Sequence, residues 1–511
     1  MNKRFLLLLS LLALLLTTLL LASCAGLIPT SSTEDGNDTA SSAPADSFAD
    51  KPKDSSQGTV ASSSTPTVTT PPRPTVGNPS VIGYKSDKTS KLPTISIKTE
   101  GGAEIVSREE YLKATVSITD TLDDEIFGLT DRETEIRCRG NFTYTGDTMD
   151  KKSYRLKFTE KVNLFGQGSG EAKSWVLLAN HCDKTLLRNH LAFTIGRLLD
   201  NIDYCSSSSF VQLYINGEYA GVYQVAEQHN VNKYRVNIQE DPNVIDTDYL
   251  IERDEYAKDD GPEGITYFTV SRADYNIKTD YPDSPLAADK CEFLRDYFQK
   301  THDAIKGGKK AEVLRYIDID SFIDTFILQA TVKNIDIGWS SFFMVKKAGG
   351  KIYFTCPWDF DLALGNDDRL DHGQVETLYV GEKTDLTQQH EWFYLLMNEE
   401  WFCDMLLKRW NEVKDEISEA MLYEIDRYLV AFNDDMNENF ALWNVFGKKI
   451  NQEPLPLLRL KTYRANVLNI REWVVARIAY LDSLFNSEDL YNQGGQESSG
   501  NWWDDNWWGG W

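Results

Sequence analysis

Apolar and polar positions alternate over residues 93–98 (PTISIK), 133–139 (ETEIRCR) and 151–158 (KKSYRLKF), the pattern of half-buried strands. Between the last two lies GNFTYTGDTMD, a loop with two glycines and several hydroxyls. After WVLLAN at 175–180 the spacing changes. Leu186, Leu187, His190, Leu191, Phe193, Ile195 and Leu198 recur at helical intervals, which predicts a helix over about 183–201 with Asp183 as its cap. Residues 209–217 and 219–228 then predict two strands joined at Asn216-Gly217, a strong hairpin signal. The second half has a different period. Stretches 284–305, 318–334, 391–413 and 460–485 carry apolar residues at i, i+3 and i+4 and predict helices. The fold class is therefore α+β, a strand-rich first lobe with one helix followed by a mostly helical lobe, with a cleft between them of the kind that binds ligands.

The ends of the chain differ from this middle. A basic Lys3-Arg4 precedes an apolar run that closes on Leu21-Ala22-Ser23-Cys24, the shape of a secretory signal ending in a bacterial lipobox. On that reading residues 1–23 are removed, Cys24 takes a lipid, and the protein is tethered to the outer face of the cell membrane; the alternative is an uncleaved membrane helix. Residues 24–81 then form a lipidated, Ser/Thr/Pro-rich stalk whose composition buries too little apolar surface to fold. The folded domain spans 82–488, and 489–511 is a disordered tail ending in GNWWDDNWWGGW. Its tryptophans suit contact with carbohydrate or a membrane interface.

Charge narrows the partners. With 53 Lys and Arg against 78 Asp and Glu the net charge is −25, a field that repels nucleic acid. The cysteines other than Cys24 show no metal-binding spacing, and six thiols outside the membrane leave any disulfide pairing open.

Two acids stand out in PWDFDLALGN at 357–366: Asp359 and Asp361 flank Phe360 in an otherwise apolar run. Burying a carboxylate is costly without a cation or donors, so the pair asks for a partner. Upstream, Asp336 ends a predicted helix, and a short strand (SFFMV), a turn at Gly349-Gly350 and a second strand (KIYF) lead to Asp359. Protein kinases use such parts, one Asp near the acceptor hydroxyl and a second, after a hairpin, holding Mg²⁺ on the nucleotide phosphates. Paired carboxylates also serve glycosidases, but two acids two residues apart on one strand are badly placed to flank a glycosidic bond.

At these residues the chain resembles the spore coat protein H (CotH) kinase family. The likeness extends through RCRGNFTY, KKSYRLKF, WVLLANHCDKTLLRNHLAF, LYINGEYAGVYQVAEQ, YLIERD, the Asp336 segment, PWDFDLALGN and REWVVARIAYLDSLF, nearly all of 90–486 in order. The resemblance implies an atypical protein-kinase-like bilobal fold that uses ATP with Mg²⁺ or Mn²⁺ to phosphorylate Ser/Thr hydroxyls of a surface or secreted protein. It makes Asp336 the catalytic acid and Asp359 the metal-holding acid, with Asp361 in support. Position 341 is Ser where the kinase catalytic loop has Asn, so Ser341 is the candidate for the second metal, with Asn366 as a substitute. Lys152 and Lys157 fall on opposite strand faces, so one of them is expected to reach the nucleotide phosphates. Arg139 and Asn141 match the family's Arg-Gly-Asn motif, as a phosphate loop or as a turn. Glu227, with Gln228, lies where a hinge would meet adenine. Two alternatives differ in kind: transfer of AMP instead of phosphate, and a catalytically weak binding module for a surface polymer or partner.

Overall fold

The computed structural model describes residues 91–493 except 120–125, 147, 166–169, 280–283, 338 and 384–390. The expected signal segment, Cys24 and the stalk lie outside the described residues, as do all five tryptophans of the C-terminal tail.

The alternating segments do form strands. β1 (Thr94–Thr99), β2 (Leu112–Thr119), β3 (Leu129–Arg139), β4 (Ser153–Val162), β5 (Ala172–Leu178), β6 (Ser208–Ile215) and β7 (Glu218–Glu227) close into a barrel in the order β1-β2-β3-β4-β5-β7-β6. Closure comes from the parallel pairing of β1 with β6, Thr94 opposite Gln212 through Ile97 opposite Ile215. Nothing in local alternation announces a contact between segments so far apart in sequence, and the barrel was not among the expectations. Ile95, Ile97, Val116, Ile136, Leu156 and Leu213 fill its interior. The Asn216-Gly217 turn joins β6 to β7 as expected, both residues at positive φ (52° and 89°).

The helical half is also present. α1 (Arg188–Leu198) falls between β5 and β6 in the chain but packs into the helical core; α2 (Ala287–Lys306), α3 (Lys310–Tyr316), α4 (Ile319–Val332), α5 (Glu391–Leu396), α6 (Glu400–Ala431), α7 (Asn433–Leu442) and α8 (Tyr463–Phe485) follow. The single helix expected over 391–413 is two, α5 and the 32-residue α6, separated at 397–399. α1 starts five residues later than its spacing suggested. The carboxylate of Asp183 accepts from the backbone N–H of Thr185 and Arg188, and Leu186 takes a left-handed φ of 62°. A tight turn therefore replaces the first helical turn.

A second sheet was not read from the sequence. β8 (Tyr249–Arg253), β9 (Tyr267–Val270), β10 (Ala273–Ile277), β11 (Phe342–Lys346) and β12 (Ile352–Phe354) pair in the order β12-β11-β8-β10-β9. Its last two strands are the expected hairpin that leads to the acids. The six described cysteines are buried free thiols. Past α8, a 3-10 turn at Glu488–Asn492 buries Leu490 completely, so the packed core reaches just beyond residue 488.

Candidate functional site

β12 ends at Phe354, and the chain beyond it is a loop. The buried strand does not continue through the acids: Asp359 has φ 67°, and Cys356 (52°) and Leu364 (51°) are left-handed as well. Each such non-glycine residue carries a strain of about 1–3 kcal/mol and persists only where its surroundings fix it. Here they do. The Phe360 N–H donates to Asn189 Oδ1 (2.7 Å), Arg188 Nε donates to the Ala363 carbonyl (2.9 Å), and the Cys356 N–H donates to the Tyr204 carbonyl (2.9 Å). Trp358 stacks on Phe193 of α1 with ring centroids 5.4 Å apart. α1 approaches the loop so closely at Gly196 that a Cβ there would lie 2.7 Å from Cys205 Sγ and 3.2 Å from Pro357 Cγ. Phe360 is fully buried, as expected, but the two acids are brought near one another by the folded loop rather than by strand alternation.

Their electrostatics follow from that crowding. Burial first, then the charge of Asp336, pushes the Asp359 carboxyl up to about 6, with Arg139 opposing the rise. Asp361 is raised well above the carboxylate range by burial and by Asp359, Asp336 and Asp183. Asp359 nonetheless keeps one side open to water. Solvent on that open side screens part of the rise.

Asp336 is treated differently. It lies four residues past the end of α4, not at the helix terminus expected of it, after Lys333 turns the chain with φ 48°. The Asp336 N–H donates to Asn334 Oδ1 (3.1 Å), and its carboxylate accepts from Arg369 Nη2 (2.6 Å). Arg369 also donates through Nε to both oxygens of Asp367, which is nearly fully buried. One acid of the site thus has a bonded cation, shared with Asp367, and two do not.

Of the other expected residues, Arg139 is brought in. It ends β3, lies within electrostatic reach of Asp359, and stands over the Trp358 ring at 5.5 Å. The next residue must be glycine: Gly140 has φ 99°, and a Cβ would come within 1.9 Å of Thr143 Oγ1. Asn141 accepts from Arg108 Nη1 (2.9 Å) and shapes the turn. Lys152 donates to the Tyr144 carbonyl (2.8 Å), and Lys157, more than half exposed, stands 3.7 Å from Glu135. Neither lysine is joined to the acids. Lys151, passed over in the sequence, is buried, donates to the Ala179 carbonyl and Asn439 Oδ1, and is held well below its ordinary pKa by burial.

The hinge candidate Glu227 is occupied within the protein: it accepts from the Ser207 N–H (3.0 Å) and the Tyr204 hydroxyl (3.4 Å), with Arg235 3.9 Å away. Gln228 donates to the His229 carbonyl, and the Gln228 carbonyl accepts from Arg235. Ser341, left-handed at φ 60°, donates its N–H to Glu252 of β8 (3.1 Å). Asn366 spends its amide N–H groups on the carbonyls of Cys182 and Asp361, which makes it a brace of the acid loop. Among the described residues no three acidic, His or Cys side chains are grouped to hold a metal alone. Mg²⁺ typically takes one or two carboxylates and completes its shell with water and phosphate oxygens, so Asp359 and Asp361, crowded and without a cation of their own, fit that mode.

Sequence reading missed Arg369 and Asn189, and noted Arg188 on its helix without its bond to the acid loop. The run NDDRLD offers an Arg among acids as a clue to the first, but its partner Asp336 is 33 residues away. The model of the family described as CotH kinase protein matches residues 136–481. The chain is also similar to the inner spore coat protein H of Bacillus subtilis (strain 168), 23% identical over 224 residues, which cover 42% of this chain. The match spans 56% of that relative's length. The match begins within β3 and ends within α8, taking in positions 139, 336, 359 and 361, and the chain belongs to the CotH kinase protein family.

Proposed function

We propose that this chain is a metal-dependent, kinase-like phosphotransferase that passes the γ-phosphate of ATP to Ser/Thr hydroxyls of a surface or secreted protein. The observation that carries the reading is the division among the acids: Asp336 has Arg369 as its cation, while Asp359 and Asp361 crowd each other on a braced loop. In this reading Asp359, supported by Asp361, holds Mg²⁺ or Mn²⁺. The ion supplies charge neutralisation on the phosphates. Asp336 accepts a hydrogen bond from the acceptor hydroxyl and orients it, and Arg139 lies on the phosphate side. The barrel and the helical half act as the two lobes of a kinase-like architecture.

Mass spectrometry of the protein and candidate acceptors after incubation with ATP and Mg²⁺ or Mn²⁺ tests it. Addition of phosphate is expected; addition of AMP redirects the reading to nucleotide transfer, and no addition to any acceptor or to the chain itself, with ATP unconsumed, sinks it. A second reading, a kinase-fold module that grips a surface polymer or partner without turnover, draws on Ser341, whose position normally supplies an amide to a second metal. In that reading the tryptophans at 502–511 provide stacking surfaces for sugar.

For location we propose lipid attachment at Cys24 and residence on the outer face of the cell membrane, on the strength of Leu21-Ala22-Ser23-Cys24. Metabolic labelling with a radiolabelled fatty acid is expected to mark the parent and not Cys24→Ser; equal labelling of both refutes it.

A further inference from the structure

In a chain of net charge −25, most described arginines near the site have an acid or several carbonyls. Two on the barrel, Arg137 and Arg155, do not. Residues 135, 137 and 139 of β3 and 153, 155 and 157 of β4 share the outer face, because Ile136, Cys138, Leu156 and Phe158 fill the interior. The register sets Arg137 directly opposite Arg155 and Arg139 opposite Ser153. Like charges facing each other across an antiparallel pair are unfavourable, and this pair has no acid interposed. Glu135 and Lys157, one step further along, neutralise each other instead.

The environment sharpens the oddity. Arg137 is partly accommodated, donating to the Arg108 carbonyl and lying 4.8 Å from the Tyr111 ring. Arg155 makes no hydrogen bond or ion pair among the described residues, and its buried Nε is without an acceptor. Burying a cationic donor unsatisfied is expensive. Arg139 connects this pair to the acids, since it is within electrostatic reach of Asp359 and lies over Trp358, whose ring is 4.7 Å from that of His229. The sequence thus places a short basic row running outward from the carboxylates along two strands. Alternate residues on a strand are about 6.5–7 Å apart, enough for the row to span a di- or triphosphate chain.

We propose that Arg155, backed by Arg137, is the phosphate-chain anchor of this site, taking the role that Lys152 and Lys157 were expected to fill, and that the ligand it selects is a nucleoside di- or triphosphate over a nucleoside. This rests on the nucleotide reading of the site. A guanidinium donates in a planar fork suited to phosphate oxygens, whereas both lysines are engaged elsewhere.

Calorimetric titration of ATP, ADP and adenosine in the presence of Mg²⁺ into the parent, Arg155→Ala, Arg155→Lys and Arg132→Ala tests it. Arg132 is a surface cation of the neighbouring strand β3, more than half exposed. Arg155→Ala is expected to weaken ATP and ADP by about 10- to 100-fold, the range for a hydrogen bond to a charged group, and to leave adenosine unchanged. Arg155→Lys is expected to recover part of the loss, and Arg132→Ala to stay within about twofold because an exposed pair contributes little. ATP affinity in a folded Arg155→Ala protein within about twofold of the parent overturns the assignment. So does an equal loss for adenosine, or binding of polyglutamate by the parent that disappears in Arg155→Ala while ATP affinity holds. Failure of the parent itself to bind ATP overturns the nucleotide reading on which the assignment rests, and is seen before any variant is compared.

Discussion

The Asp336 segment and the Asp359–Asp361 loop bring acids within electrostatic reach of one another, yet the protein handles their charge in opposite ways. Asp336 sits in a turn after α4, its carboxylate bonded to Arg369, which is in turn fixed by the buried Asp367. Asp359 and Asp361 sit on a loop whose backbone is held at many points, by Asn189, Arg188, Asn366 and the Phe193–Trp358 stack, while the carboxylates gain only the distant opposition of Arg139. In the first region the side chain is satisfied. In the second the protein satisfies the backbone and leaves the carboxylates crowded. An acid whose charge is already balanced is suited to orienting a neutral hydroxyl, and a braced pair of unbalanced acids is suited to a cation. The contrast therefore predicts distinct consequences for substitutions that remove one carboxylate at a time.

The largest expected effect comes from Asp359→Asn. Loss of the metal-holding charge removes several kcal/mol of charge stabilisation, on the order of 10³-fold in turnover, and abolishes the Mg²⁺-dependent part of ATP binding. On the proposed reading Asp336→Ala lowers turnover by about 10²-fold, the lower end for a positioned acid–base group, while sparing Mg·ATP affinity, because the proposed role is confined to the hydroxyl. Calorimetry and single-turnover transfer, run beside a melting curve for each variant, separate the two. If both substitutions weaken nucleotide binding alike, the contrast between the regions is broken.

A smaller effect tests whether Arg369 belongs to the machinery. Arg369→Gln leaves Asp336 without its cation and Asp367 buried without one, so turnover is expected to fall about tenfold with little change in KM for ATP. The stability loss is roughly 2 kcal/mol, below the range for fully buried pairs because the Arg369 side chain is 22% exposed. Arg369→Lys is expected to restore part of kcat. A loss of stability with kcat unchanged would confine Arg369 to a structural part.

How much of this was legible beforehand depended on how local each signal was. Strands β1, β3 and β4 declared themselves by alternation, β6 and β7 by the Asn216-Gly217 turn between them, and Asp359 and Asp361 by being acids in apolar surroundings. Barrel closure was hidden because β1 meets β6 across more than a hundred residues. The second sheet was hidden because β8, β9 and β10 are only four or five residues long and lie among helices. Arg155 was overlooked although it stands in the same KKSYRLKF run as the two favoured lysines. Setting RCR of β3 against YRL of β4 in antiparallel register would have revealed the facing arginines, but the register itself depends on the loop between them. Arg188 and Asn189 read as helix residues, and their service to the acid loop is a contact across more than 170 positions.

The smallest expected effect also separates the two regions on stability alone. The folded-state pKa of Asp361 is raised well above its ordinary range of about 4, and that of Asp359 to about 6. Between the ordinary and the raised values the folded state binds more protons than the unfolded one, so stability falls as pH rises through that window. Without metal, the melting temperature of the parent is expected to decline from pH 5 to pH 7. Asp361→Asn removes one of the crowded charges and is expected to melt higher than the parent at pH 7, on the order of 2 °C, with a shallower decline. Adding Mg²⁺ with ATP should stabilise the parent and erase the advantage of the variant. Glu133→Gln, an exposed acid on β3, controls for the overall negative charge and is expected to shift the midpoint by less. An Asp361→Asn protein that melts lower than the parent at pH 7 without metal would mean that the carboxylate is a structural acceptor. The loop would then resemble the Asp336 region, with its charge satisfied from within, and the metal assignment would lose its physical basis.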